Sequence, residues 1–67
     1  MIFTPRDIEM VGYLAEGMTT EDMATKMKHT WATTQTYRNR MLKTHHANTS
    51  AHLVSIAYQR GVLKLKP

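Results

Sequence analysis

Residues able to cap a helix recur at four places along this chain, each directly ahead of apolar residues at helical spacing. That punctuation leaves room for four short helices. Thr4 is followed by Pro5, which suits a first helical position, and by Asp7, three residues after the cap and facing the positive end of the helix dipole. Ile8, Val11, Leu14 and Ala15 then recur on one face, and Gly17 supplies the left-handed residue that commonly ends a helix. Thr19-Thr20-Glu21-Asp22 is a second start, with the cap at either threonine and Met23, Ala24 and Met27 facing inward. Lys28-His29-Thr30 joins it to a third helix, capped by Thr30 and running through Trp31, Thr34, Tyr37, Arg38, Met41 and Leu42 to about His45. Asn48 or Thr49 caps the last helix, whose inward residues are Leu53, Val54, Ala57 and Tyr58. Gly61 ends it, and Val62 and Leu63 fold back on the core, leaving a frayed tail from Lys64 to Pro67. The spacing predicts a single all-α domain over 1–67, with helices over about 4–16, 20–27, 31–45 and 49–60.

A chain of 67 residues buries a limited fraction of its surface, and the absence of cysteine removes both disulfides and thiolate metal sites. Stability must then come from helix packing, dimerisation or a bound partner. The methionines read as core filler, with Met10 and Met18 partly exposed, and the lone Trp31 reads as core or partial core. No apolar run is long enough to span a bilayer, and the opening Met1-Ile2-Phe3-Thr4-Pro5 lacks the flanks of a signal peptide, so no membrane association is expected and a cytoplasmic location is. His45, His46 and His52 lie near one another in sequence with His29 remote. Adjacent histidines diverge on a helix, and no neighbouring acid completes a zinc set. No nucleophile, base and orienting group form a motif and no glycine-rich phosphate loop is present. Neither an enzyme, a metal nor another cofactor is expected. Asn48-Thr49-Ser50 matches a glycosylation acceptor, which a non-secreted chain would not use.

The charge is divided along the chain. All five acids, Asp7, Glu9, Glu16, Glu21 and Asp22, precede residue 23, opposed there by Arg6 alone. Residues 23–67 hold Lys26, Lys28, Arg38, Arg40, Lys43, Arg60, Lys64 and Lys66 and no acid. A region without carboxylates attracts polyanions. Two helices joined by three or four residues, the second rich in basic and amide side chains, form the helix-turn-helix pattern.

Read as a whole, the chain resembles the DNA-binding domain of the LuxR/GerE family. Phe3-Thr4-Pro5-Arg6-Asp7 is similar to that family's leucine-threonine-proline-arginine-glutamate opening, and Leu14-Ala15-Glu16-Gly17-Met18-Thr19 to its leucine-alanine-x-glycine-leucine-serine. Asp22-Met23-Ala24 stands where the family has glutamate-isoleucine-alanine, and Met27 where it has leucine. Thr30 stands at the serine cap of the recognition helix and Thr33-Thr34 at its threonine-valine, while Ala51, Val54, Ala57 and Gly61-Val62-Leu63 fit the last helix and its exit. The register runs without a gap from Phe3 to about Leu63. Three positions depart from it. Gln35 replaces a lysine, Tyr37 a histidine, and Thr44-His45-His46 the family's lysine-leucine-glycine exit. The resemblance implies a stand-alone member, since its usual receiver or ligand-binding domain is not among these residues.

The third helix is the expected reader of the major groove. Gln35 and Asn39 are four residues apart on one side of it, and both amides can pair bidentately with adenine, with Thr36 beside them. These three are the expected base readers. Thr20, Lys28, Thr33, Tyr37, Arg38, Arg40 and Lys43 are the expected phosphate contacts, which set register and make affinity fall with salt. The resemblance implies a homodimer through the last helix, with Ser50, Leu53, Ala57 and Arg60 as its patch. Leu53 and Ala57 thus carry both a core and an interface expectation. The function that follows is sequence-specific regulation of transcription on double-stranded DNA, with RNA polymerase as a possible partner. The competing expectation is an antagonist that pairs with a larger LuxR-type regulator and blocks it. Region four of a sigma factor shares the motif, but the opening Thr4-Pro5-Arg6 and the compact fourth helix favour the first family.

Overall fold

A computed structural model describes residues 2–64 and shows four helices, α1 (Pro5–Ala15), α2 (Thr20–Met27), α3 (Trp31–Thr44) and α4 (Ser50–Gln59). Every N-cap is a threonine, Thr4, Thr19, Thr30 or Thr49, whose hydroxyl accepts from the backbone N–H three residues on. In α1 and α2 the carboxylates of Asp7 and Asp22 return the bond to the cap's own N–H, which closes a capping box. All four helices end in the same way. The N–H five residues after a given carbonyl bonds back to it, as in Met18 to Tyr13, His29 to Ala24, Ala47 to Leu42 and Val62 to Ala57. The residue before each of those donors has positive φ: Gly17 at 82°, Lys28 at 58°, His46 at 56° and Gly61 at 74°. This is the Schellman exit, and it needs a left-handed residue that glycine adopts at no steric cost. Lys28 and His46 adopt it with a Cβ. His46 does so at the position where the resembled family has glycine.

α1 packs on α4 and α2 packs on α3. Their inner faces enclose Phe3, Met10, Val11, Met23, Met27, Met41, Leu53 and Ala57. Methionine fills this small core because its unbranched, polarisable chain adapts to irregular gaps. Val62 and Leu63 fold back against it after the Gly61 exit.

The inward face of α1 differs from the expected one. Ile8 is 40% exposed and Ala15 is exposed, whereas Met10 is fully buried. The buried row is Asp7, Met10 and Val11, continued by half-buried Leu14. That rotation carries Asp7 beneath α3, where it meets Tyr37 and lies close to His45. Trp31 also departs from expectation. As the first residue of α3 it precedes the turn that meets the core, and it is 56% exposed. Of the frayed tail expected from Lys64 to Pro67, all but Lys64 lies outside the described residues. Among the described residues no helix is long and apolar enough to cross a membrane.

Candidate nucleic-acid interface

Helical geometry divides α3 into two sides. Thr34, Met41 and the C-cap His45 are buried, and Ala32, Thr33, Thr36, Asn39, Arg40 and Lys43 are exposed on the opposite arc. Thr36 lies near the middle of that arc, flanked by the cations. Neither the first turn of α3 nor any other position of its sequence carries a carboxylate. The arc is therefore a convex, acid-free surface of hydroxyl, amide, guanidinium and ammonium groups. A shallow groove along it is lined by Ala32, Thr33, Thr36, Tyr37 and Arg40.

Gln35 and Asn39 stand on the edge of this arc that faces α2, and they are bonded to each other. The Thr20 hydroxyl donates to Gln35 Oε1 at 2.9 Å, and Gln35 Nε2 donates to Asn39 Oδ1 at 3.3 Å. Arg38 Nη1 donates to the same Asn39 oxygen at 3.3 Å. Gln35 is half-buried and Asn39 exposed. The helix-turn-helix is thus stitched from Thr20, at the start of α2, into the middle of the reading helix.

Two expected phosphate residues are half-buried on the flanks of the outer arc. Arg38 is half-buried and borders a cleft with Leu14, Gly17, Met18 and Ser50. It stands four residues after Thr34 and three before Met41, so the helical spacing itself puts it on the flank of the buried face. Tyr37 is half-buried, and its hydroxyl donates to Asp7 Oδ1 at 2.6 Å. Burial and that bond raise the phenol's pKa, which keeps the hydroxyl a donor. Thr33 remains exposed and accepts from the Thr30 hydroxyl at 2.9 Å. Lys28 is exposed at the turn itself. Beside it, Arg6 of α1 bonds His29 Nε2 at 2.8 Å, which ties α1 to the turn.

Beneath the arc lies a polar cluster that the sequence read only in pieces. His45 is 3% exposed and stacks on Phe3 with ring centroids 4.0 Å apart and planes 6° from parallel. Its Nε2 is 3.8 Å from Asp7 Oδ2, too long for a hydrogen bond, and neither ring nitrogen has a partner. Burial pushes the imidazole below histidine's ordinary pKa, with the Asp7 carboxylate acting in the opposite direction. Burial pushes the Asp7 carboxyl up, but the bonds from Tyr37 and Thr4 prevail and hold it below the usual carboxylate value. The histidine at the family's leucine position thus takes a core place against an aromatic ring. Among the described residues no three metal-ligating side chains converge.

The expected dimer patch is corrected on α4. Leu53 and Ala57 are both 0% exposed and belong to the core, so neither can meet a partner chain. Their spacing of four residues fits one face, and the fold uses that face internally. Tyr58, expected inward, is exposed, as are Ala51, Ser55 and Arg60, with Val54 and Ser50 half-buried. Arg60 lies with its guanidinium 5.8 Å from the centre of the Phe3 ring.

Comparison with known proteins supplies the family. No curated protein and no solved structure matches the chain significantly. The family model described as "Bacterial regulatory proteins, luxR family" matches residues 1–57. That span takes in all of α1, α2 and α3 and most of α4, including the whole helix-turn-helix and its acid-free outer arc. The chain therefore belongs to the LuxR family of bacterial regulatory proteins, whose GerE domain is a DNA-binding helix-turn-helix.

Proposed function

We propose that this chain is a sequence-specific reader of double-stranded DNA that regulates transcription in the cytoplasm, on the nucleoid, with α3 seated in the major groove. The observation that carries this reading is the outward arc of α3, where Thr36, Asn39, Arg40 and Lys43 stand exposed with no carboxylate among them. A helix fits that groove, where each base pair presents a distinct set of donors and acceptors. Thr36, Asn39 and the edge residue Gln35 meet base edges. Lys28, Thr33, Arg40 and Lys43 hold phosphates and set the register. Thr20 supports Gln35 rather than the backbone, and Tyr37 and Arg38 act from within the protein.

The active form is a homodimer joined through the outward side of α4. Ala51, Val54 and Tyr58 recur there at helical spacing, with Ser50 and Arg60 at the margins. A two-fold pair reads half-sites about 34 Å apart. RNA polymerase is the further partner such a regulator meets at a promoter.

The test is selection of bound duplexes from a random pool at two salt concentrations, with sedimentation of the free and bound chain. An inverted-repeat consensus and a steep loss of affinity with salt are expected. Equal recovery of all sequences would end the specific-reader proposal. No binding at low salt, together with capture of a full-length LuxR-type regulator, would replace it with the antagonist reading.

A further inference from the structure

We infer that Arg38, half-buried on the flank of α3, sets what the reading surface recognises by locking the side-chain amides of Gln35 and Asn39 as hydrogen-bond donors, so that the half-site base they meet is guanine. The inference rests on the DNA-reading proposal above. Its physical basis is the direction of one hydrogen-bond chain. An arginine guanidinium has donors and no acceptor. Because Arg38 Nη1 lies 3.3 Å from the Asn39 side chain, the atom facing it must be the amide oxygen. The Gln35 amide, also 3.3 Å from that oxygen, must then present its nitrogen. Its own oxygen is left facing the Thr20 hydroxyl, which donates to it at 2.9 Å. Every amide orientation in the chain follows from the charge at one end.

The consequence is a change of reading chemistry. An amide pairs bidentately with adenine by offering its oxygen to the adenine amino group and its nitrogen to N7. Here the Asn39 oxygen accepts two bonds, which is its capacity, and the Gln35 oxygen, with one of its two acceptor sites taken by the Thr20 hydroxyl, faces α2. The hydrogens left over are both on Asn39 Nδ2 and one on Gln35 Nε2. Arg40 and Lys43, which continue the surface, are also donors only. A row of donors meets its match in the base with two adjacent major-groove acceptors, the N7 and O6 of guanine. Adenine sets an amino donor against the same row.

The experiment is the same random-pool selection, run with the wild type, Arg38→Ala, Arg38→Lys and Asn39→Ala. Asn39→Ala identifies the base positions that this side chain reads, because those positions lose their preference. At them the wild type is expected to enrich guanine. Replacing that guanine with 7-deazaguanine in a selected duplex should weaken wild-type binding about fivefold, the loss of one hydrogen bond. Arg38→Ala frees one of the two acceptor sites on the Asn39 oxygen and should shift enrichment toward adenine, while Arg38→Lys, still a donor, should retain guanine. Adenine enrichment by the wild type, or guanine enrichment unchanged in Arg38→Ala, would overturn the inference with the DNA-reading proposal intact. Failure of the wild type to select any sequence would overturn both. The 7-deazaguanine measurement needs no Arg38 variant, so the guanine assignment can be overturned even if Arg38→Ala fails to fold, and Arg38→Lys then carries the test of Arg38.

Discussion

The Tyr37 hydroxyl donates to Asp7 Oδ1 at 2.6 Å, across thirty positions of sequence, while Asp7 Oδ2 accepts from the Thr4 N–H at 3.1 Å. One carboxylate therefore closes the capping box of α1 and anchors the middle of α3. The bond is charge-assisted and half-buried, so it contributes more than a surface pair. Tyr37→Phe is expected to lower stability by about 2 kcal/mol in urea unfolding. The affinity of the folded variant for DNA at a fixed salt concentration should not change, since the hydroxyl is spent inside the protein. A loss of affinity by the folded variant would mean that Tyr37 holds a phosphate after all.

His45 makes the fold sensitive to mild acid. The ring is packed against Phe3 of the N-terminal segment, with Asp7 of α1 nearby, Tyr37 on its own helix and Arg60 at the end of α4. Burial lowers its pKa below the ordinary 6.5, so the unfolded chain takes up the proton first. The stability contributed by the neutral ring is complete above about pH 6.5 and is lost progressively as the pH falls below it. Asp7 also has a depressed pKa, and its contribution persists to lower pH, because it is lost only as pH falls through that depressed value. Thermal unfolding should therefore show a falling Tm between pH 7 and pH 5. His45→Leu should remove that slope and add about 1–2 kcal/mol at neutral pH, since both ring nitrogens are buried without partners. An unchanged slope in His45→Leu would assign the acid sensitivity elsewhere.

Two helix exits use side chains where glycine would be unstrained. Lys28 and His46 hold φ of 58° and 56°, in the left-handed region. His46→Gly and Lys28→Gly are each expected to stabilise the fold by about 1 kcal/mol. Only Lys28→Gly should weaken DNA binding, by removing an exposed cation at the helix-turn-helix turn. Equal effects of the two substitutions on DNA affinity would remove Lys28 from the phosphate contacts.

Trp31 is the sole tryptophan and stands exposed at the leading end of α3. Under the proposed docking of α3, the duplex is expected to cover part of this exposed indole. Its fluorescence should therefore change on titration with a selected duplex, and iodide quenching of the bound form should drop by about half or more, as expected when an exposed aromatic is covered. Unaltered quenching at saturating duplex would place the interface elsewhere. Trp31→Ala should leave stability within about 0.5 kcal/mol, as for a surface site.

The family, the four helices and the helix-turn-helix were legible because their signals are local. A threonine cap bonds an N–H three residues on, and a helix exit bonds a carbonyl five residues back. The outer cations and amides of α3 were legible too, since their spacing alone puts Thr36, Asn39, Arg40 and Lys43 on one arc. The half-burial of Arg38 was legible as well, since its spacing from Thr34 and Met41 places it on the flank of the buried face.

What the chain's own order of residues determined is where each helix starts and stops, and that α3 carries an acid-free face rich in cations and amides. What only the tertiary structure decided is which side of α1 and α4 turns inward, and what Asp7, Tyr37 and His45 do. Leu53 and Ala57 went to the core and Met10 displaced Ile8, because a face is chosen by the best common packing of four helices and not by one helix's pattern. The link from Tyr37 to Asp7 joins residues thirty positions apart, and no local rule of capping or periodicity reaches that far.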